Sequence, residues 1–321
     1  MEIPEPPASQ MICRRNSRCQ RRSTRTQVAA RCFRFSAFLL AASLLLNSCG
    51  RDQAIVVGSK NFVEQLLLGE LAAQQLERQL HIPVERKFNL GGTLLAHGAI
   101  VKGDIDIYPE YTGTAINVVL RQEASGGARE VYERVRNAYE RKFRLRWLEP
   151  LGFNDTFAMV VRSEDAAKLG QPTLTAAKSR RWRLGVGYEF LTRPDGLESL
   201  DKTYDLNWQE TPQSMDLGLL YRALELGQID MGAANSTDAQ LLSAKFVALS
   251  DDKKTFPPYN ACFVVREELL ARQPDVDRAL GLLQGRIDEL AMRRMNARVA
   301  VDHEPVAKVI KDFLETLETA R

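Results

Sequence analysis

Histidine and cysteine are scarce in this 321-residue chain: there are three histidines, and four of the five cysteines fall within the first 49 residues. His81, His97 and His303 share no ligand-like spacing with cysteine or carboxylate, so no metal site is expected. Cys262 alone lies beyond residue 49, which rules out a disulfide framework; its apolar strand context reads as a buried thiol. Catalytic signatures are missing too. There is no Gly-x-Ser-x-Gly, no His-Glu-x-x-His, no Walker loop and no Gly-x-Gly-x-x-Gly at a strand-helix junction, so neither an enzyme nor a cofactor is expected. No apolar run reaches the roughly 18 residues that span a bilayer. With 45% hydrophobic and 26% charged residues, most of the chain can bury a core, and disorder does not fit.

Charge is concentrated at the start. Before Ser48 stand eight arginines against Glu2 and Glu5, followed by the short apolar stretch "FSAFLLAASLLLNSCG". A basic region followed by such a stretch reads as a secretory signal. Its end, Leu46-Asn47-Ser48-Cys49, resembles a bacterial lipobox, which would make Cys49 the lipidated first residue of the mature chain; an ordinary signal peptide with a chance cysteine is the alternative. Removing residues 1–48 moves the formal net charge from +3 to −3. The basic pI therefore gives no reason to expect a nucleic-acid partner.

From Ala54 strand and helix patterns alternate. "AIVVGS" reads as a buried strand. The segment "NFVEQLLLGELAAQQLERQL" reads as a helix whose Asn61 and Glu64 have capping-box spacing. "VERKF" is a strand, Gly91-Gly92 a turn, "TLLAHGAIVKG" a helix, and "DIDIY" a strand expected to end before "PEYTGT". Later come the strands "TFAMVVR", "WRLGVGY", "IDMGAA", "FVALS" and "ACFVVRE", the helices "MDLGLLYRALELG" and "TDAQLLSAK", and a helical C-terminus from about Asp275. Such alternation implies βαβ units around a mostly parallel sheet, with ligands outside the carboxyl ends of the strands. "AIVKGDIDIYPEYTGT" (Ala99 to Thr114) and "ALELGQIDMGAANSTD" (Ala223 to Asp238) echo each other, placing Tyr111 and Asn235 at matching positions. Gly-x-Ile-Asp is also a common helix-to-strand connection, so duplication and coincidence both stay open.

Strand ends collect polar and aromatic side chains: Lys60; Tyr108, Tyr111, Thr112 and Thr114; Asp155 and Phe157; Arg193; Asn235; and Tyr259. Aromatic faces stabilise a quaternary amine by about 0.5–2 kcal/mol per ring, and Lys, Arg or hydroxyl donors suit a carboxylate tail. Each residue also has a plain reading: tyrosine beside proline as turn packing, a loop arginine as a solvated charge, a strand phenylalanine as core.

Together, "VGSKNFVEQLLLGE", "LGGT", "GDIDIYPEYTGT", "PLGFNDTFAMVVR", "RPDG", "STD" and "FPPYNACFVVR" make residues 53 to 320 resemble the substrate-binding lipoproteins of osmoprotectant ABC transporters. The resemblance implies an α/β type II periplasmic-binding-protein fold of two lobes joined by two crossover strands. The expected divisions are a signal peptide at 1–48, a lipidated tether at 49–53, one lobe from 54–154 plus 254–321, and a second from 155–253. It also implies capture of a glycine betaine-like quaternary amine or zwitterion by hinge closure. The expected partners are ABC permease subunits and, through the anchor alone, a bacterial membrane; the chain is expected to be an extracytoplasmic monomer. In the family's pattern Tyr111 and Tyr259 supply cage rings, Lys60 and Thr114 contact the ligand carboxylate, Asp155 borders the cage, and Arg193 clamps the carboxylate from the second lobe. Phe157 and Asn235 stand where that pattern has tyrosine. Phe157 keeps a ring, whereas Asn235 loses one and offers an amide. A receptor for another cationic or zwitterionic amino-acid derivative, or a signalling lipoprotein with a decayed cleft, remains an alternative.

Overall fold

The computed structural model describes residues 54–319, so the signal sequence, the lipobox and Cys49 lie outside the described residues. Twelve strands are found among them: β1 (Ile55–Gly58), β2 (Val84–Lys87), β3 (Ile107–Tyr111), β4 (Leu145–Trp147), β5 (Phe157–Arg162), β6 (Arg181–Trp182), β7 (Leu184–Val186), β8 (Asn207–Trp208), β9 (Gln213–Ser214), β10 (Met231–Asn235), β11 (Phe246–Ala248) and β12 (Ala261–Arg266). Ten of them form two five-stranded sheets, in the orders β2-β1-β3-β12-β4 and β11-β5-β10-β7-β9, and β6 pairs with β8.

Each sheet is mixed rather than mostly parallel. In the first, β1 runs parallel to β2 and β3, but β12 is antiparallel to β3 and β4. In the second, β10 is parallel to β7 but antiparallel to β5. The opposed strands, β5 and β12, are the ones the chain enters on crossing between sheets. Arriving that way, they are free of the right-handed helical crossover that keeps sequential strands parallel. The two crossing segments pair with each other at Asn154 and Asn260. There the Asp155 N–H donates to Tyr259 O at 3.1 Å, and the Tyr259 N–H donates to Asn154 Oδ1 at 2.6 Å.

The first helix, Val63–Leu80, buries Leu67, Leu68, Leu71 and Leu76 against the first sheet, each contributing roughly 1.5–3 kcal/mol. Its start corrects the capping-box expectation: Phe62 is the N-cap, with no side-chain cap bond. Glu64 is instead drawn inward to Tyr111 and Asn296. A second correction concerns "YPEY", which is the strand β3 and not a turn after it, buried at all five positions. β1 meets β3 only at Val57 and Ile107, so Pro109 lies past that edge, where a missing N–H is tolerated. "TDAQLLSAK" forms only a short 3-10 turn, Ala239–Leu242.

The two echoed segments are built alike. Gly103 and Gly227 both end helices in the left-handed region, at φ 84° and 66°. The Asp106 carboxylate accepts from the Val56 N–H at 3.0 Å, and that of Asp230 from the Arg183 N–H at 3.3 Å. Asp106 therefore anchors its strand start, as its position suggests, with Arg266 and Arg272 beside it. β3 and β10 then run five residues each and end on Tyr111 and Asn235.

Candidate functional site

Past the end of β3 the chain turns into the helical segment Thr112–Thr114, which lies under Tyr259. Only glycine fits at position 113, because a Cβ there would stand 2.5 Å from the Tyr259 ring and 2.9 Å from Pro258 O. Thr112 holds the layer together: its hydroxyl donates to Pro258 O at 2.9 Å and accepts from the Asn260 N–H at 3.0 Å. Thr114 is thereby presented, buried, toward Arg193.

Arg193 organises one half of the site. Its Nε and Nη2 grip both oxygens of Asp195 at 2.9 and 2.6 Å, in a bidentate fork. Nη1 reaches Thr114 Oγ1 at 3.4 Å, and Nη2 also lies 3.4 Å from the Tyr259 hydroxyl. The guanidinium stands 5.0 Å from the Phe157 ring centre and 5.6 Å from that of Tyr259. Asp195 also accepts from Asn117 Nδ2 at 2.8 Å and from the Tyr259 hydroxyl. These bonds tie the segment after β7 to residues at the ends of β3 and β12, so the two sheets are joined across the site. Burial raises the Asp195 pKa, but the Arg193 bond and charge, helped by Tyr259 and Asn117, hold it below the ordinary value. Burial likewise opposes the Arg193 charge, and the bond to Asp195 more than restores it.

The two residues that depart from the family pattern, Phe157 and Asn235, are direct cross-strand neighbours on β5 and β10, and so share one face of the second sheet. Phe157 packs edge-on against Phe190 at 4.9 Å, Phe256 at 5.6 Å and Tyr259 at 5.7 Å. Asn235 is half-buried, and its backbone N–H donates to Asp238 Oδ2 at 3.2 Å.

Lys60 and Tyr111 form the other half. Lys60 Nζ lies 4.8 Å from the Tyr111 ring centre and 5.7 Å from that of Phe62. It is paired with Glu110 Oε1 at 2.7 Å, so its charge is matched before any ligand carboxylate arrives. The Tyr111 hydroxyl donates to Glu64 Oε1 at 2.7 Å, and Asn296 Nδ2 donates to Glu64 Oε2 at 3.0 Å. Beside them Asp155 accepts from the Thr237 hydroxyl at 2.8 Å. Burial lifts the pKa of both Glu64 and Asp155, and each carboxyl discourages ionisation of the other.

A family model for the substrate binding domain of ABC-type glycine betaine transport systems matches residues 53–316. The chain belongs to that family. A Helicobacter pylori (strain G27) relative, named ergothioneine transport permease/ergothioneine binding protein, is 34% identical over 303 residues covering 93% of this chain. The chain spans about half the length of that relative, 53%. A Pseudomonas aeruginosa glycine-betaine-binding protein is 33% identical over 87% of this chain and 93% of its own length. A crystal structure of a glycine betaine/carnitine/choline ABC transporter superposes with a TM-score of 0.72 at 27% identity, over 82% of this chain and 98% of that one. The fold is that of the type II periplasmic binding proteins, with two α/β sheets linked by two crossings.

All eight residues singled out for ligand contact lie in this region, in two groups: Arg193, Thr114, Tyr259 and Phe157, with Asn235 opposite Phe157; and Lys60 with Tyr111, beside Asp155. Sequence reasoning missed the carboxylates. Glu64 looked like a cap and Glu110 like part of a turn, while Asp195 lies inside "RPDG" next to the arginine it grips. The i, i+2 spacing of Arg193 and Asp195 was the available signal.

Proposed function

We propose that the protein is the extracytoplasmic solute receptor of an ABC importer and binds a small quaternary amine between its two sheets. The observation that carries this reading is the meeting of buried rings with cations. Tyr111, Phe157 and Tyr259 each already have a basic side chain of the protein near the ring face, at 4.8–5.6 Å, as a trimethylammonium group would require. In this reading lobes comprising residues 54–154 plus 254–321 and residues 155–253 hinge about the paired crossings at Asn154 and Asn260. Thr114, Arg193 and the Asn235 amide meet the polar end of the ligand. Closure brings Asp195 onto Asn117 and Tyr259, and the closed monomer docks on a permease, tethered to the membrane through lipid on Cys49. No bond of the ligand is made or broken.

The relatives' names motivate the ligand panel: glycine betaine, carnitine, choline and ergothioneine, with ordinary amino acids as controls. Calorimetry and thermal shift on the chain from residue 50 should show saturable stabilisation by at least one of the quaternary amines and none by the controls. Stabilisation by none of the four overturns the reading. For the anchor, Cys49→Ala should move the protein from the membrane to the soluble extracytoplasmic fraction; an unchanged distribution refutes it.

A further inference from the structure

The electrostatics of this site point to a narrower ligand class, an inference that rests on the reading just given. Lys60 and Arg193 are the basic side chains that reach the rings, and each is already matched by a buried carboxylate. Lys60 Nζ stands 2.7 Å from Glu110, and Arg193 holds Asp195 through two bonds. Those two pairs cancel. Glu64 and Asp155 remain; among the described residues they are bonded only to uncharged partners, Tyr111, Asn296 and Thr237. Two buried carboxyls side by side keep one proton between them, because the second ionisation is opposed by the first. The pair therefore holds one negative charge. Asp238 lies beyond it with Arg293 facing it, and Glu189 at the rim, 3.8 Å from Arg193 Nη1, adds further negative potential. Glu110 keeps a second buried oxygen with no hydrogen-bond partner.

A ligand carboxylate entering here meets no unmatched cation. It must compete with Asp195 for the guanidinium or with Glu110 for the ammonium, and burying it beside those anions is costly. A cation with an uncharged polar tail meets no such competition, since its positive head neutralises the site. Its tail finds the Thr114 hydroxyl, which lies 3.4 Å from Arg193 Nη1, and the half-buried Asn235 amide. We infer that the site selects a net monocation, a quaternary ammonium with a hydroxyl tail, over zwitterions that carry the same head, and that Glu110 and Asp195 set this selectivity.

The test is isothermal calorimetry at pH 7 with choline and glycine betaine, which share the trimethylammonium head and differ in the charge of the tail. The wild-type chain should bind choline at least about tenfold more tightly. Asp195→Asn and Glu110→Gln each free one cation, and each should shift the choline to glycine betaine affinity ratio at least about tenfold toward the betaine. A folded variant that leaves the ratio unchanged removes that residue from the selectivity. If neither variant folds, the wild-type ratio alone decides. A wild-type protein that prefers glycine betaine overturns this inference while leaving the amine receptor intact. Silence toward the whole quaternary-amine panel overturns the receptor reading and this inference with it.

Discussion

Replacing Asp238 by asparagine should stabilise the protein at neutral pH and change the pH dependence of its stability. The carboxylate accepts from the Tyr221 hydroxyl at 3.0 Å and from the Asn235 N–H at 3.2 Å. Burial nevertheless outweighs both bonds and lifts its pKa to about 6 from the ordinary 3.8. Keeping it ionised in the folded chain at pH 7 then costs roughly 3 kcal/mol by proton linkage. Part of the residue reaches solvent, which makes that figure a ceiling. The folded chain binds this proton more tightly than the unfolded chain does. Its stabilising contribution is therefore fully present below the unfolded value of 3.8 and is lost as the pH climbs through about 6. Asparagine keeps a carbonyl oxygen for both donors and never ionises. Urea denaturation at intervals from about pH 4 to 8 should show Asp238→Asn gaining about 1–3 kcal/mol at pH 7 and little at pH 4, the difference opening between the two pKa values. Glu64 and Asp155 are raised by burial in the same sense, so a residual slope of that sign persists in the variant. A variant that is less stable at pH 7, with the wild-type slope retained, would refute the reasoning: the carboxylate would then be a favoured anion, held by Arg293.

Arg193→Ala should cost glycine betaine more than choline, because only the former carries a carboxylate for the guanidinium; equal losses in calorimetry would show that Arg193 does not read the tail. Asn235→Tyr, which places a ring opposite Phe157, should tighten trimethylammonium ligands about two- to thirtyfold, and unchanged or weaker affinity would place this position outside the cage. Gly113→Ala drives a methyl into Tyr259 and should lower stability by about 1–3 kcal/mol, read as a fall in Tm together with weaker ligand binding; a wild-type Tm would mean that the layer under Tyr259 can yield.

Much of this architecture was legible in the chain because it depends on local patterns. Apolar runs of four to six residues became the main strands, and the helical spacing after Asn61 became Val63–Leu80. The two Gly-x-Ile-Asp segments became matched strand starts, since a left-handed glycine and a carboxylate facing a neighbouring strand are short-range requirements. Where such reasoning failed, the competing force came from distant residues. Pro109 suggested a turn, yet β12, more than 150 residues later, pairs with β3 throughout and keeps it extended. The spacing of Asn61 and Glu64 suggested a cap, but Tyr111 and Asn296, which is 232 positions away, claim the carboxylate for the interior.

The sequence by itself determined which side chains gather at the site, because rings and polar groups were placed at strand ends that a βαβ chain turns to one side. It also marked Phe157 and Asn235 as departures from the family pattern. Only the tertiary structure decided the charge state of that site. Whether Lys60 and Arg193 are free to meet a ligand depends on Glu110 and Asp195 being buried within 3 Å of them. Coulombic interactions at such distances are set by three-dimensional separation and burial, neither of which spacing along the chain records.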